Sequence, residues 1–435
     1  MTAPLEHLLE NHGLMTMLRL IEVLNYRCLR YIRQPLGPCH VLVGPNASGK
    51  TTFLDVIAFL GTMVSEGLDA AVGERTSNFE DLLWQRSGTG FELAVEADIN
   101  GQTARTFNDR FDTIRYEVSV GPHPDTNEVG ILNERAILKK QVSEQAEEKS
   151  LFPMEPVPPA SILTPRARKG EQTVLSKGPE GNDNYYAEVR DESGGKGWVP
   201  SFRLGPRRST LGNLPEDESR FPVATWFKRY LAAGVETLLL NSLVIRKASP
   251  PGQGTRFRPD GSNLPWVIDH LRSKARDRFD AWIRHLRTAL SDVADITTVE
   301  RPDDKHRYLK IRYANGLEVP SWMVSDGTLR LLALTLAAYI PQFSGVYLVE
   351  EPENGIHPGA IETLFQSLSS VYGAQMLLAT HSPVILSQAK LNQVLCFKKT
   401  DSGATDIVAG PNHPALKDWK GQPNLDVVFA SGILG

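Results

Sequence analysis

The eight residues Gly44 to Thr51, "GPNASGKT", constrain this chain more than any other stretch. They satisfy the pattern G-x-x-x-x-G-K-[ST]. Before them runs the apolar "HVLV", His40 to Val43, and after them Phe53, Leu54, Ile57, Leu60 and Val64 recur at helical spacing. Strand, loop and helix in that order are the setting in which the pattern cradles phosphate. Backbone N–H groups wrap phosphate oxygens only where side chains do not obstruct, so Gly44 and Gly49 take the tight points. Pro45, Asn46, Ala47 and Ser48 complete the loop. Lys50 offers a cation to β- and γ-phosphates, Thr51 a hydroxyl to magnesium, and Thr52 lies in a helical turn whose positive end faces the anion. The cofactors expected from this loop are ATP and Mg2+.

A second stretch, "VYLVEEPENGIHP" from Val346 to Pro358, sets two glutamates side by side where an apolar strand ends. Alone, such a pair reads as a solvated turn. Beside a phosphate loop it reads otherwise, because a divalent cation offsets the first carboxylate and leaves the second to polarise a water. Glu350 is therefore expected on the magnesium side and Glu351 as the base or water-positioning residue. Upstream, Ser325, Asp326 and Gly327 open a strong helix pattern with a capping serine. Such a helix start is also suited to an anion. Downstream, "MLLATHSPVIL" is an apolar strand ending in Thr380, His381 and Ser382, where a histidine can hydrogen-bond a γ-phosphate or the attacking water.

Composition narrows the setting. A net charge of −4 gives no global attraction to nucleic acid or anionic membrane, so any basic surface is local. Three cysteines without C-x-x-C spacing point to a reducing, cytoplasmic compartment and no structural metal. Apolar runs such as Leu331 to Ile340 fall far short of the ~18–20 residues that span a bilayer, so no membrane segment is expected.

Along the chain, residues 1–16 read as an N-terminal extension and 17–141 as the first half of a nucleotide-binding head, with β-type alternation after Phe91. Residues 142–222, dense in Pro, Gly and charge with little periodicity, read as a surface insertion that either stays mobile or orders on a partner. Residues 223–308 read as a helical lobe. Its "PWVIDHLRSKARDRFDAWIRHLRTAL" is amphipathic, with a basic face from Arg272 to Arg287 that is either solvated or DNA-contacting. Residues 309–435 supply the second half of the head.

Phosphate loop, "SDGTL", "VYLVEEPENGIHP" and "LLATHSP", in that order, resemble the ABC-type ATPase head of the SMC, RecF and OLD-like branch. The resemblance covers both ends of the chain and hardly touches the middle. It implies an α/β P-loop NTPase of the ABC type (RecF/SMC-like head), with an antiparallel β subdomain and a helical lobe. Ser325, Asp326 and Gly327 would then stand where the family reads the nucleotide of the other subunit. Asn354 to His357 would cross the dimer interface, and His381 would be the switch histidine. By the same resemblance Gln85, in "EDLLWQR", is the metal-linked Q-loop glutamine, and Arg27, in "NYRCL", a basic residue near the nucleotide.

The resemblance is imperfect in informative ways. Glu350 replaces the usual Asp, moving the carboxylate about 1.5 Å farther out. The signature reads Ser-Asp-Gly-Thr instead of Ser-Gly-Gly-Gln. The chain ends at Gly435 soon after the histidine strand, so an intrinsic nuclease domain is not expected. The implied mechanism is a nucleotide-gated homodimer or higher homo-oligomer. Three roles compete: the ATPase of a bacterial anti-phage or genome-surveillance system beside a separately encoded effector protein, a RecF-like repair clamp on duplex DNA, and a transporter ATPase subunit.

Overall fold

Continuous apolar runs, unlike alternating ones, mark strands covered on both faces. Three of them lie together in the structure, a computed structural model that describes residues 17–99, 103, 107, 110–141, 151–165, 168–179, 181–189, 200–341, 343–371 and 373–417. Strands are numbered along the chain. β3 (Cys39–Val43), β14 (Gly345–Glu350) and β15 (Ala374–Ala379) run parallel, with β15 between the other two. β10 (Val235–Leu238), parallel to β14, forms one edge. On the far side β3 pairs in parallel with β16 (Val394–Lys399), and β17 (Thr405–Ala409) closes the sheet antiparallel.

Alternate residues of these strands serve two cores. Leu42, Leu348, Leu377 and Phe397 face one; Val41, Val43, Val349, Leu378 and Cys396 face the other. The first core is shared with helix Lys50–Ser65 and an eight-stranded sheet of order β2, β1, β4, β5, β6, β7, β8, β9. Its strands are β1 (Leu18–Tyr26), β2 (Leu29–Pro35), β4 (Phe91–Asp98), β5 (Thr113–Pro122), β6 (Val129–Lys139), β7 (Gln172–Lys177), β8 (Asp183–Tyr185) and β9 (Ser201–Phe202). Every pairing within it is antiparallel. The Gln375 amide locks the two sheets together: it accepts from Leu18 N at 3.1 Å and donates to Leu18 O at 2.9 Å and Gly37 O at 2.7 Å.

The second core holds helices Asp326–Leu336 and Pro358–Ser369, and the lobe of helices Leu264–Lys274 and Arg276–Leu286 packed on a small antiparallel sheet. That sheet is β11 (Val293–Glu300), β12 (Arg307–Tyr313) and β13 (Glu318–Pro320). The single amphipathic pattern is thus two helices, broken at Ala275 with φ −141 and ψ 61. Two residues of the basic face bond the lobe sheet: half-buried Arg272 donates to Ile296 O at 2.7 Å, and exposed Arg287 donates from Nε to Val293 O at 3.0 Å. Both arginines tie the lobe to β11. Among the described residues no helix is long and apolar enough to cross a membrane.

The polar middle departs from its reading as a loop. Residues 1–16 and 142–150 lie outside the described residues. The chain beyond them supplies β7 to β9 and buries Val174, Leu175, Tyr185, Leu211 and Leu214 in the first core. Periodicity fails here because irregular backbone is satisfied by buried carboxylates instead of a ladder. Glu134, in β6, accepts from Tyr116 Oη at 2.8 Å, Ser209 Oγ at 2.8 Å, Thr210 N at 2.7 Å and Leu211 N at 2.8 Å. Glu188 accepts from Val223 N and Ala224 N, both at 2.7 Å, at the start of helix Pro222–Ala233.

Burial pushes the Glu188 carboxyl up to about 7, against the opposing pull of its two amide donors. Its folded pKa lies above the unfolded value, so the folded state holds the extra proton. This contribution to stability is full below the ordinary glutamate range and is lost as pH rises through about 7. A gap of two to three units corresponds to roughly 3 kcal/mol. Glu188→Gln is therefore expected to flatten the loss of stability between pH 5 and pH 8, as read from urea midpoints across that range. A variant whose pH profile parallels the wild type would refute the assignment.

Candidate functional site

Parallel pairing puts three chain exits next to one another, because β3, β15 and β14 end on the same edge. The crevice outside the carboxyl ends of such strands is where open α/β sheets bind ligands. Here it is a cavity of about 670 Å³ lined by Arg27, Asn46 to Thr52, Gln85, Glu350, Glu351 and His381, with Trp84 and Arg86 at its rim.

The phosphate loop is shaped by neighbours as well as by its own residues. Gly44, with φ 148, passes so close to β16 that an added Cβ would lie 2.2 Å from Phe397 O. At Gly49, with φ 103, the Cβ would meet Thr405 Oγ1 at 2.3 Å. Thr405 in turn donates to Ser48 O at 2.9 Å, so β17 holds the loop from behind. Lys50 Nζ donates to Gly44 O at 2.8 Å and Pro45 O at 2.9 Å. Burial lowers its pKa, and Glu351 and Glu350 oppose that shift.

The two glutamates diverge. Glu350 Oε2 accepts from Thr51 Oγ1 at 2.6 Å, joining the end of β14 to the phosphate-loop helix. Glu351 takes a left-handed φ of 44, its N–H donates to Ala379 O at 2.8 Å, and its Oε2 accepts from Asn354 Nδ2 at 2.5 Å. The two carboxylates thus have different partners, Thr51 for the first and Asn354 for the second. His381 follows β15. Burial and Lys50 lower its pKa while Glu351 and Glu353 raise it, and the net shift is downward, so the ring is neutral at pH 7.

Arg27 reaches the cavity with φ 51, its guanidinium held by Asp55 at 3.3 Å. Asp55 also accepts from Tyr26 Oη at 2.6 Å and Arg75 Nε at 2.7 Å, which fixes Arg27 from the rear. Gln85 lines the cavity too, yet its amide donates at 3.4 Å to Ser402 O in the β16–β17 turn. In this arrangement the side chain is engaged with that turn.

Ser325, Asp326 and Gly327 do not join this cavity within the chain. Ser325 Oγ accepts from Thr328 N at 3.2 Å as a helix cap, Asp326 pairs with Arg246 at 2.6 Å, and Gly327 packs against Gly355 so closely that a Cβ would lie 2.4 Å from its carbonyl oxygen. Around them Leu243, Trp322 and Met323 are exposed. Sequence reasoning passed over Trp84, Arg86, Thr405 and Glu353. Only Glu353 carried a local signal, as the third acid of "EEPE". The other three reach the site by tertiary contact.

Solved structures similar to the chain include an Smc head bound to the C-terminal winged-helix domain of ScpA, at 14% identity and TM-score 0.47, covering 90% of this chain and 97% of that one. A Pyrococcus furiosus Smc head with an extended coiled coil, bound to the C-terminal domain of ScpA, shows 13% identity and TM-score 0.47 over 91% and 96% of the two chains. The SMC head of Thermotoga maritima shows 12% identity and TM-score 0.40 over 90% and 98%. An OLD nuclease of Thermus scotoductus is 54% identical over 41 residues, 9% of this chain and 8% of that protein, so the chain matches only a small part of this curated relative. The profile of the family described as "AAA domain, putative AbiEii toxin, Type IV TA system" matches residues 39–387, most of the chain. With its phosphate loop, acid pair and strand-end histidine on one sheet edge, the chain belongs to this AAA-domain family.

Proposed function

We propose that the chain binds ATP with Mg2+, hydrolyses it, and uses the nucleotide to hold two copies together. The observation that carries this reading is the convergence of Lys50, the Thr51–Glu350 pair, Glu351 and His381 at adjoining strand ends. In this reading Lys50 leaves the loop carbonyls for the β- and γ-phosphates. Glu351 orients a water for in-line attack and accepts its proton, and neutral His381 donates to the γ-phosphate. Positioning and charge stabilisation supply most of the rate.

The Thr51 hydroxyl and the Glu350 carboxylate are hard oxygen donors suited to magnesium. Phosphate oxygens and water would supply the remaining oxygen ligands. Magnesium, when bound, would neutralise charge developing on the phosphates. Gln85 is assigned to the same edge, on condition that its amide leaves Ser402.

The dimer is supported by what one chain lacks. Ser325 to Gly327 lie outside their own cavity, backed by Gly355 and flanked by exposed Leu243, Trp322 and Met323. A second copy would cover this face and bring the helix start to the γ-phosphate. ATP closes such a pair and hydrolysis releases it, a population shift available to a partner. We assign the chain to the cytoplasm as the ATPase of a bacterial anti-phage or genome-surveillance system with a separately encoded effector. The family description, which names a putative toxin, and the short match to an OLD nuclease support this role. The duplex-DNA clamp is the alternative reading, with exposed Arg276, Arg278, Arg284 and Arg287 as its basic surface.

Two outcomes test the reading. Lys50→Ala, which removes charge-assisted bonds worth about 1.5–3 kcal/mol, is expected to weaken ATP binding on the order of 10- to 100-fold in calorimetry. Unchanged affinity sinks the phosphate-loop assignment. Glu351→Gln is expected to keep ATP affinity, lose at least about 100-fold in turnover, and accumulate a dimer in light scattering with ATP and magnesium. A monomer that still hydrolyses ATP at the wild-type rate would overturn both the base and the dimer.

A further inference from the structure

The turn after the acid pair holds a third carboxylate that the chemistry above does not use. Glu353 Oε1 accepts from Thr380 Oγ1 at 2.7 Å and from His381 N at 2.9 Å. Its Oε2 is buried with no hydrogen-bond partner among the described residues. The Thr380 hydroxyl, fully buried, also accepts from Ser382 N at 2.9 Å. One carboxylate thus organises three consecutive residues where the chain leaves β15.

Glu353 is itself held in a tight turn. Its carbonyl accepts from Ile356 N at 3.0 Å, and its neighbour Asn354 donates from its backbone N to Glu351 O at 3.1 Å and from its side chain to the Glu351 carboxylate at 2.5 Å. The exit of β14, carrying Glu351, and the exit of β15, carrying His381, therefore form one hydrogen-bonded unit. Terminating a strand does not require a buried carboxylate with one oxygen unpaired, and such a group is costly unless function retains it. The charged groups that bear on His381 are Lys50, Glu351 and Glu353.

We propose that Glu353 is a positioning residue that fixes His381 relative to Glu351 and Lys50, and so sets the geometry of the γ-phosphate site. The role rests on the ATPase reading, and it is tested separately from it. Glu353→Gln keeps an oxygen that accepts from Thr380 and His381 but removes the charge. Glu353→Ala removes both.

The experiment is an NMR titration of histidine-labelled, nucleotide-free full-length protein, with His381 assigned by its loss in His381→Gln, alongside steady-state ATP hydrolysis. Because Glu353 raises the His381 pKa, its neutralisation in Glu353→Gln is expected to move the His381 midpoint to lower pH. Turnover in that variant should stay within about threefold of wild type, while Glu353→Ala should lose about tenfold or more in kcat with KM nearly unchanged. An unmoved His381 midpoint in the Gln variant overturns the proposal, as does a kcat in the Ala variant equal to wild type. Should Glu353→Ala fail to fold, the Glu353→Gln titration decides alone. Wild-type protein that hydrolyses no ATP would defeat the ATPase reading, and the titration would still decide whether Glu353 acts on His381.

Discussion

The parallel pairing of β15 with β3 on one side and β14 on the other is the constraint on which the rest of the site depends. Its register places Ala379 opposite Leu42 and Glu350 opposite Ala379, so the phosphate loop, the acid pair and the histidine emerge at the same level. Thr51 of the phosphate loop lies 299 residues before Glu350, and backbone ladders inside a doubly covered sheet bring the two together. Displacing one of those strands by a single residue would invert its faces and withdraw its catalytic group from the cavity.

Around that edge the protein supplies support in depth. Thr405 and Phe397 press on the loop glycines from β17 and β16, Asp55 backs Arg27, and Asn354 backs Glu351. Lys50 is held by loop carbonyls and Thr51 by Glu350, so both side chains are ordered by protein contacts.

The middle of the chain obeys a different principle. Beside its short ladders its backbone is irregular: Glu134 accepts from Thr210 N and Leu211 N within the core, and the segment's own Glu188 accepts from the first turn of helix Pro222–Ala233. The Lys177–Asp183 pair at 2.7 Å, buried on both sides, belongs to the same pattern. A segment rich in Pro, Gly and charge can therefore be part of the folded body when the acids that receive it are placed by neighbouring strands.

The sequence by itself displayed the residues of the candidate site. The glycine spacing, the cation, the hydroxyl, the acid pair and the strand-end histidine are local patterns, each tied to a backbone conformation or a functional group that a short window displays. The alternation after Phe91 and the apolar runs at β3, β14 and β15 likewise announced both sheets. Tertiary structure alone decided the remainder. That Gln85 turns to Ser402, that Asp326 is tied to Arg246, that the lobe helix breaks at Ala275, and that Glu353 holds His381 are contacts between segments distant in sequence. The reason is physical: periodicity and turn chemistry report how a stretch of backbone lies, whereas the partner of a side chain depends on sheet register and packing, which no short window contains.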